Sequence, residues 1–150
     1  RQSARAIIPT IITQALQNKK IKLGSLHPKR DLMYVEDTVR GIYAAIGNKK
    51  TLGQVINLGT EYEITIKNLV EKISKILGYK IDYKIEEKRK RPKKSEVDRL
   101  CASNKKAKKL LNWRPKYLKE KGLEYGLSKT IDWFRKEKNL KFYKYSDYNY

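Results

Sequence analysis

The stretch KIKLGSLHPKRDLMYVED, Lys20–Asp37, decides the fold. Ile21 and Leu23 alternate with lysines, so Ile21 to Leu23 reads as a short strand, and Gly24 closes it. Pro28 turns the chain, and Asp31 to Val35 reads as a second strand. Asp37 then stands where a helix cap belongs, ahead of Val39, Ile42, Tyr43 and Ile46, with Gly47 as the stop. Short strands leading into a helix within so few residues predict an α/β or α+β chain.

Working outward, Ile7, Ile8, Ile11, Ile12 and Leu16 share a helical face, which predicts a first helix ending near Asn18. On the other side, Gln54 to Leu58 reads as a strand stopped by Gly59. Thr65 is an N-cap for a helix carrying Ile66, Leu69, Val70, Ile73, Ile76 and Leu77, and Gly78 suits a left-handed C-cap. Ile81 to Ile85 alternates as a strand does. Lys88 to Lys94 is a basic loop broken by Pro92. Ser103 caps a short helix with Ala107, Leu110 and Leu111, followed by Trp113 and Pro115. Leu123, Leu127, Ile131 and Phe134 mark a final helix. The reading gives one lobe over 1–137 and a Lys/Tyr-rich, poorly ordered tail over 138–150.

The totals narrow the function without naming it. The 150 residues suit one domain, with 39% apolar and 35% charged residues. A net charge of +20 fits nucleic acid, a smaller anionic ligand such as a nucleoside diphosphate, or a coding bias that enriches Lys, Ile, Asn and Tyr together. The single cysteine, Cys101, has no partner for an internal disulfide, which points to a reducing cytoplasm. No base stands near it, and it is expected as a small buried hydrophobe. The single histidine, His27, leaves no Cys/His cluster for zinc. No apolar run reaches the ~20 residues of a membrane span, and Pro9 interrupts any signal-peptide core. The chain starts without Met and runs straight into an amphipathic helix, as a fragment would.

No strand–glycine-rich turn–helix fingerprint for a dinucleotide occurs, and no nucleophile–base pair is visible, so no catalytic, cofactor-binding or metal residue is assigned. Three polar spots interrupt the apolar pattern. Lys22 to Leu26 ends a strand in a turn carrying Gly24 and Ser25. Lys29-Arg30-Asp31 precedes an apolar strand. Arg91 to Asp98 is a loop stiffened by Pro92. A guanidinium is a planar fork of donors for phosphate oxygens, so Arg30 and Arg91 suit a pyrophosphate clamp unless they are surface charges or ion pairs. A carboxylate such as Glu96 suits the vicinal hydroxyls of a ribose.

These same blocks resemble the extended short-chain dehydrogenase/reductases. Arg1-Gln2-Ser3 with Ile8-Pro9 is similar to the segment after their Tyr-Gly-Pro turn. Lys22 to Leu26, Lys29-Arg30-Asp31 and Tyr34-Val35-Glu36-Asp37 resemble the strand–turn–strand–helix block of their sugar-nucleotide-binding lobe. Val55-Ile56-Asn57-Leu58-Gly59 resembles the next strand. Arg91-Pro92, Glu96-Val97-Asp98, Lys106-Ala107 and Leu110 to Pro115 resemble the closing signature. Within that family of NAD-dependent epimerases and dehydratases, the blocks are most similar to the sugar-nucleotide 4,6-dehydratases of the GDP-mannose and the GDP- or UDP-N-acetylglucosamine (legionaminic-acid) types. The loop after Arg91 is longer here than in the mannose type.

The resemblance implies the substrate-binding lobe and C-terminal part of a Rossmann-type fold, with the Gly-rich cofactor half absent. It implies NAD (or NADP) held by the missing N-terminal half, a GDP- or UDP-sugar as substrate, and a cytoplasmic homo-oligomer when complete. The implied reaction moves hydride from the sugar's C4 to NAD+, eliminates water across C5 and C6, and returns the hydride to C6. Arg30 and Arg91 would contact the diphosphate, Glu96 the ribose, and Lys22, Gly24 and Ser25 the nucleoside, with Asn57 bracing the site. A 4-epimerase of the same family and a basic nucleic-acid-binding module are the alternatives. The module is the weaker, because aromatics outside the tail sit at core spacings.

Overall fold

The computed structural model describes Ser3 and residues 5–143. In chain order its helices and strands are α1 (Ile7–Asn18), β1 (Lys20–Leu23), β2 (Lys29–Asp31), α2 (Val35–Ala45), β3 (Glu63–Thr65), α3 (Ile66–Leu77), β4 (Asp82–Ile85), β5 (Arg99–Leu100), α4 (Lys105–Leu111), α5 (Lys119–Arg135) and α6 (Glu137–Leu140). Helices alternate with short strands, so the chain is α/β. It divides into two compact units. Among the described residues, the first takes those up to Pro28, Thr65–Val97 and those from Leu127 to Tyr143; the second takes Lys29–Ile64 and Asp98–Gly126.

In the first unit, Ile11, Ile12 and Ala15 form the buried side of α1. Lys19, in the left-handed region at φ 52°, turns the chain into β1. β1 pairs in parallel with β4, from Lys20 beside Asp82 to Leu23 beside Ile85. The Gln14 side chain of α1 satisfies the β1 backbone at Lys22, accepting its N–H at 2.9 Å and donating to its carbonyl at 3.3 Å. α3 behaves as its sequence predicts. The Thr65 hydroxyl accepts from the N–H of Asn68 at 3.1 Å, and Gly78 closes the helix at φ 81°, where a side chain would be strained. Leu69, Val70 and Ile73 are its buried stripe, and the Tyr79 hydroxyl donates to the carbonyl of Ala15 at 2.9 Å.

In the second unit, β3, β2 and β5 form a three-stranded sheet in that order, with β2 parallel to β5. Arg99 of β5 reaches Glu63 of β3 with two hydrogen bonds of 2.7 Å, tying the outer strands together. Asn104 acts as a side-chain strand, accepting from the N–H of Gly59 at 2.9 Å and donating to its carbonyl at 2.6 Å. Trp113 is buried, as expected of a packing residue.

Several local expectations are corrected. The second strand ends at Asp31 instead of starting there, because its partner β5 is only two residues long and pairs with Lys29 and Arg30. α2 starts at Val35, so Asp37 lies inside its first turn and caps nothing. Gln54 to Leu58 is irregular: a strand needs a ladder partner, none pairs with it among the described residues, and Val55 is 81% exposed. Asn104, not Ser103, occupies the N-cap position of α4, and without a side-chain cap. Cys101 is exposed, since it follows the end of a two-residue edge strand. Of the expected tail, residues 138–143 are structured: α6 continues the chain, and Tyr143 is buried edge-on to Phe134, ring centroids 4.9 Å apart. Positions 144–150 lie outside the described residues.

Candidate functional site

The predicted site residues fall in both units. Lys22, Gly24, Ser25, Arg91 and Glu96 belong to the first, Arg30 and Asn57 to the second. Each group is built by its own local structure.

In the first unit the ladder of β1 and β4 runs one residue past the strands, with the N–H of Glu86 donating to the carbonyl of Leu23 at 2.9 Å. The chain then winds through a tight turn at Glu87–Arg89 and passes directly over Gly24. A Cβ at Gly24 would lie 2.8 Å from the carbonyl carbon of Arg89, so this glycine is a seat for the loop. The Glu86 carboxylate takes the Arg89 Nε–H at 2.8 Å through Oε2 and faces the Lys22 ammonium at 3.3 Å through Oε1. The Arg89 side chain is only 8% exposed. The Arg89 hydrogen bond, followed by Lys22, holds the Glu86 carboxyl below its ordinary range. Arg91 stands exposed two residues later, and the N–H of half-buried Glu96 donates to the carbonyl of Pro92 at 3.1 Å.

In the second unit, half-buried Arg30 donates from Nη1 to the carbonyl of Lys29 at 2.8 Å. Its neighbour Asp31 gathers the facing segments. It accepts from the N–H of Thr60 at 2.9 and 3.0 Å, the Thr60 hydroxyl at 2.6 Å, the N–H of Glu61 at 3.0 Å and that of Ala102 at 3.4 Å. Gly59 must be small, because a Cβ there would meet Asp31 Oδ2 at 2.6 Å. Asn57 is exposed on the irregular segment that Asp31 and Asn104 tether. Glu61 holds a left-handed backbone at φ 58°, its carboxylate accepting from the N–H of Asn104 at 2.8 Å. That bond, with Lys108 beside it, lowers the Glu61 carboxyl, and Arg99 does the same for Glu63. Partial desolvation, followed by the nearby Asp31 carboxylate, raises the Cys101 thiol above its ordinary value.

Further along this unit, Asp37 is fully buried and accepts from the N–H groups of Lys116 at 2.8 Å and Tyr117 at 3.0 Å and from Arg40 at 2.8 Å. Tyr117 donates its hydroxyl to Glu36 in a short hydrogen bond and stacks on Tyr125. That bond raises the Tyr117 phenol well above its ordinary value.

Sequence reasoning missed Glu86, Arg89, Asn104 and Gln14. Gln14 carried a usable signal, a polar residue among buried isoleucines. Among the described residues no group of His, Cys, Asp and Glu is placed to hold a metal ion, and no helix is long and apolar enough to cross a membrane. No strand there enters a helix through a glycine-rich turn: β3 passes into α3 at Thr65, and Gly24 is covered by Arg89. The residues present do not fit a dinucleotide.

The family described as GDP-mannose 4,6 dehydratase matches residues 1–125. UDP-glucuronate 4-epimerase from Thermodesulfobacterium geofontis is 33% identical over 83% of this chain and 36% of its own length. The solved dTDP-glucose 4,6-dehydratase from Bacillus anthracis, in complex with NAD, superimposes with a TM-score of 0.76 at 30% identity, over 91% of this chain and 41% of that one. A variant of UDP-glucuronic acid 4-epimerase from Bacillus cereus, solved with UDP-4-deoxy-4-fluoro-glucuronic acid and NAD, gives a TM-score of 0.77 at 27% identity, over 95% of this chain and 41% of that one. An α/β lobe with these neighbours is of the Rossmann-type epimerase/dehydratase class. The chain belongs to the NAD-dependent epimerase/dehydratase family, with its match to the GDP-mannose 4,6-dehydratase type. It spans about two fifths or less of the length of these relatives.

Proposed function

We propose that this chain is the substrate-side lobe of an NAD-dependent nucleotide-sugar 4,6-dehydratase and holds the nucleoside diphosphate of a GDP- or UDP-sugar. The observation that carries the reading is Arg91, exposed on a loop seated against the end of β1, in a chain matched by the dehydratase family over residues 1–125. A guanidinium there offers paired donors to phosphate oxygens. Arg30 on the second unit supplies another, with Glu96 directed to the ribose, Lys22, Gly24 and Ser25 to the nucleoside, and Asn57 as a brace. NAD, bound outside these residues, supplies the redox chemistry. The lobe's own work is positioning: binding energy from the nucleotide handle orients the sugar.

A 4-epimerase is the second reading, favoured by the UDP-glucuronate 4-epimerase relative and the Bacillus cereus structure. The whole protein, given GDP-mannose and the GDP- and UDP-N-acetylhexosamines, is expected to form a 4-keto-6-deoxy sugar visible by NMR. A C4 epimer in its place selects the epimerase. The clamp is tested separately: Arg30→Ala and Arg91→Ala each raise KM about tenfold or more, the loss of a charge-assisted hydrogen bond. An unchanged KM in both variants removes the clamp assignment.

A further inference from the structure

Two arginines stand in the same basic loop, Arg89 and Arg91, and their surroundings differ. Arg89 points inward, its side chain 8% exposed and bonded to Glu86 at 2.8 Å. Arg91 is exposed. Glu86 is 16% exposed and reaches two cations from different parts of the chain, Lys22 on β1 and Arg89 on the turn. The backbone bond from Glu86 to Leu23 and the close pass of Arg89 over Gly24 complete the attachment.

We propose that Glu86 is a positioning residue, its carboxylate joining Lys22 to Arg89 and so fixing the loop from which Arg91 meets a nucleoside diphosphate. The inference rests on the proposed role of Arg91 and adds how that role is set up. Arg89 is thereby a structural cation and not a second phosphate ligand. Two effects of removing Glu86 oppose each other. Loss of the carboxylate unmasks two positive charges, which by Coulomb attraction alone would tighten binding of an anion. Loss of the tie frees the loop and raises the cost of ordering Arg91 on the ligand, which weakens binding. The Glu86–Arg89 arm of the tie is largely buried, whereas the Lys22 ammonium, 52% exposed, is screened by salt once unmasked. The loss of order in the loop therefore outweighs the added attraction, and weakening dominates at physiological ionic strength.

The test is calorimetric titration of the full chain with UDP and with inorganic pyrophosphate, for the parent, Glu86→Gln, Arg91→Ala and the double variant. Glu86→Gln is expected to weaken both ligands roughly three- to tenfold, and to add nothing once Arg91 is already Ala, because the two residues act as one unit. Parental or tighter affinity in Glu86→Gln overturns the inference, as does an equal loss on the Arg91→Ala background. Parental affinity in Arg91→Ala overturns the clamp reading itself and the inference with it. Gly24→Ala leaves every charge in place and pushes a methyl into the Arg89 carbonyl. It is expected to weaken pyrophosphate, which has no nucleoside to touch Gly24, in the same Arg91-dependent way, and serves should Glu86→Gln unfold.

Discussion

Asp37 carries the sharpest prediction about the fold. Its carboxylate is fully buried and accepts from two backbone N–H groups, of Lys116 and Tyr117, besides Arg40. Asp37→Asn keeps the shape but leaves one acceptor oxygen. The new NH2 group must face one of the amides, donor against donor. An unsatisfied buried amide costs about 1–3 kcal/mol, and the misplaced NH2 a similar amount, for a total of about 2–6 kcal/mol. That is a large part of the ~5–15 kcal/mol that holds a domain. With a urea slope of about 2 kcal/mol/M, the midpoint falls by roughly 1–3 M. Arg40→Ala removes one donor to this buried carboxylate but leaves both amides paired, so it is expected to lower the midpoint less than Asp37→Asn and serves as the comparison. A midpoint for Asp37→Asn within ~0.3 M of the parent would refute the assignment of Asp37 as the acceptor for those amides.

Asn104→Ala leaves both backbone groups of buried Gly59 without their partner, and is expected to lower stability by about 2–4 kcal/mol in the same urea assay. On acidification, Glu61, Glu63 and Glu86 have folded pKa values below their ordinary 4.5. Their contribution is present above that value and is lost as pH falls through the depressed ones, so the melting point drops below about pH 4.5 and Glu86→Gln flattens part of the drop. At the alkaline end, Tyr117 is raised above its ordinary 10.0 by Glu36. Its contribution is complete below pH 10 and disappears as pH rises through the folded value; ultraviolet titration should show a late-ionising tyrosine that Glu36→Gln makes ionise earlier.

What the sequence disclosed follows how local each interaction is. Thr65, the apolar stripe to Leu77 and Gly78 specify α3 within one stretch, and the helix has those ends. Asp37 looked like a cap because caps are local, but its partners lie 79 and 80 residues away. Gln54 to Leu58 alternates as a strand does, yet alternation supplies no ladder partner. At the candidate site, Pro92 and the cations from Lys88 to Lys94 marked the loop. Nothing in a run of lysines and arginines distinguishes the arginine that turns inward. That distinction comes from Glu86, which sits at the end of β4 and meets Lys22 only because β1 and β4 pair.

The most direct test of the account is calorimetric titration of this chain with UDP, GDP and short single-stranded DNA at two salt concentrations. A nucleotide-binding lobe predicts saturable binding of one nucleoside diphosphate, preferred over the other and reduced in Arg91→Ala. Steeply salt-dependent binding of DNA with no preference between the nucleotides would contradict it, and would make the net charge of +20 the basis of a nucleic-acid-binding module.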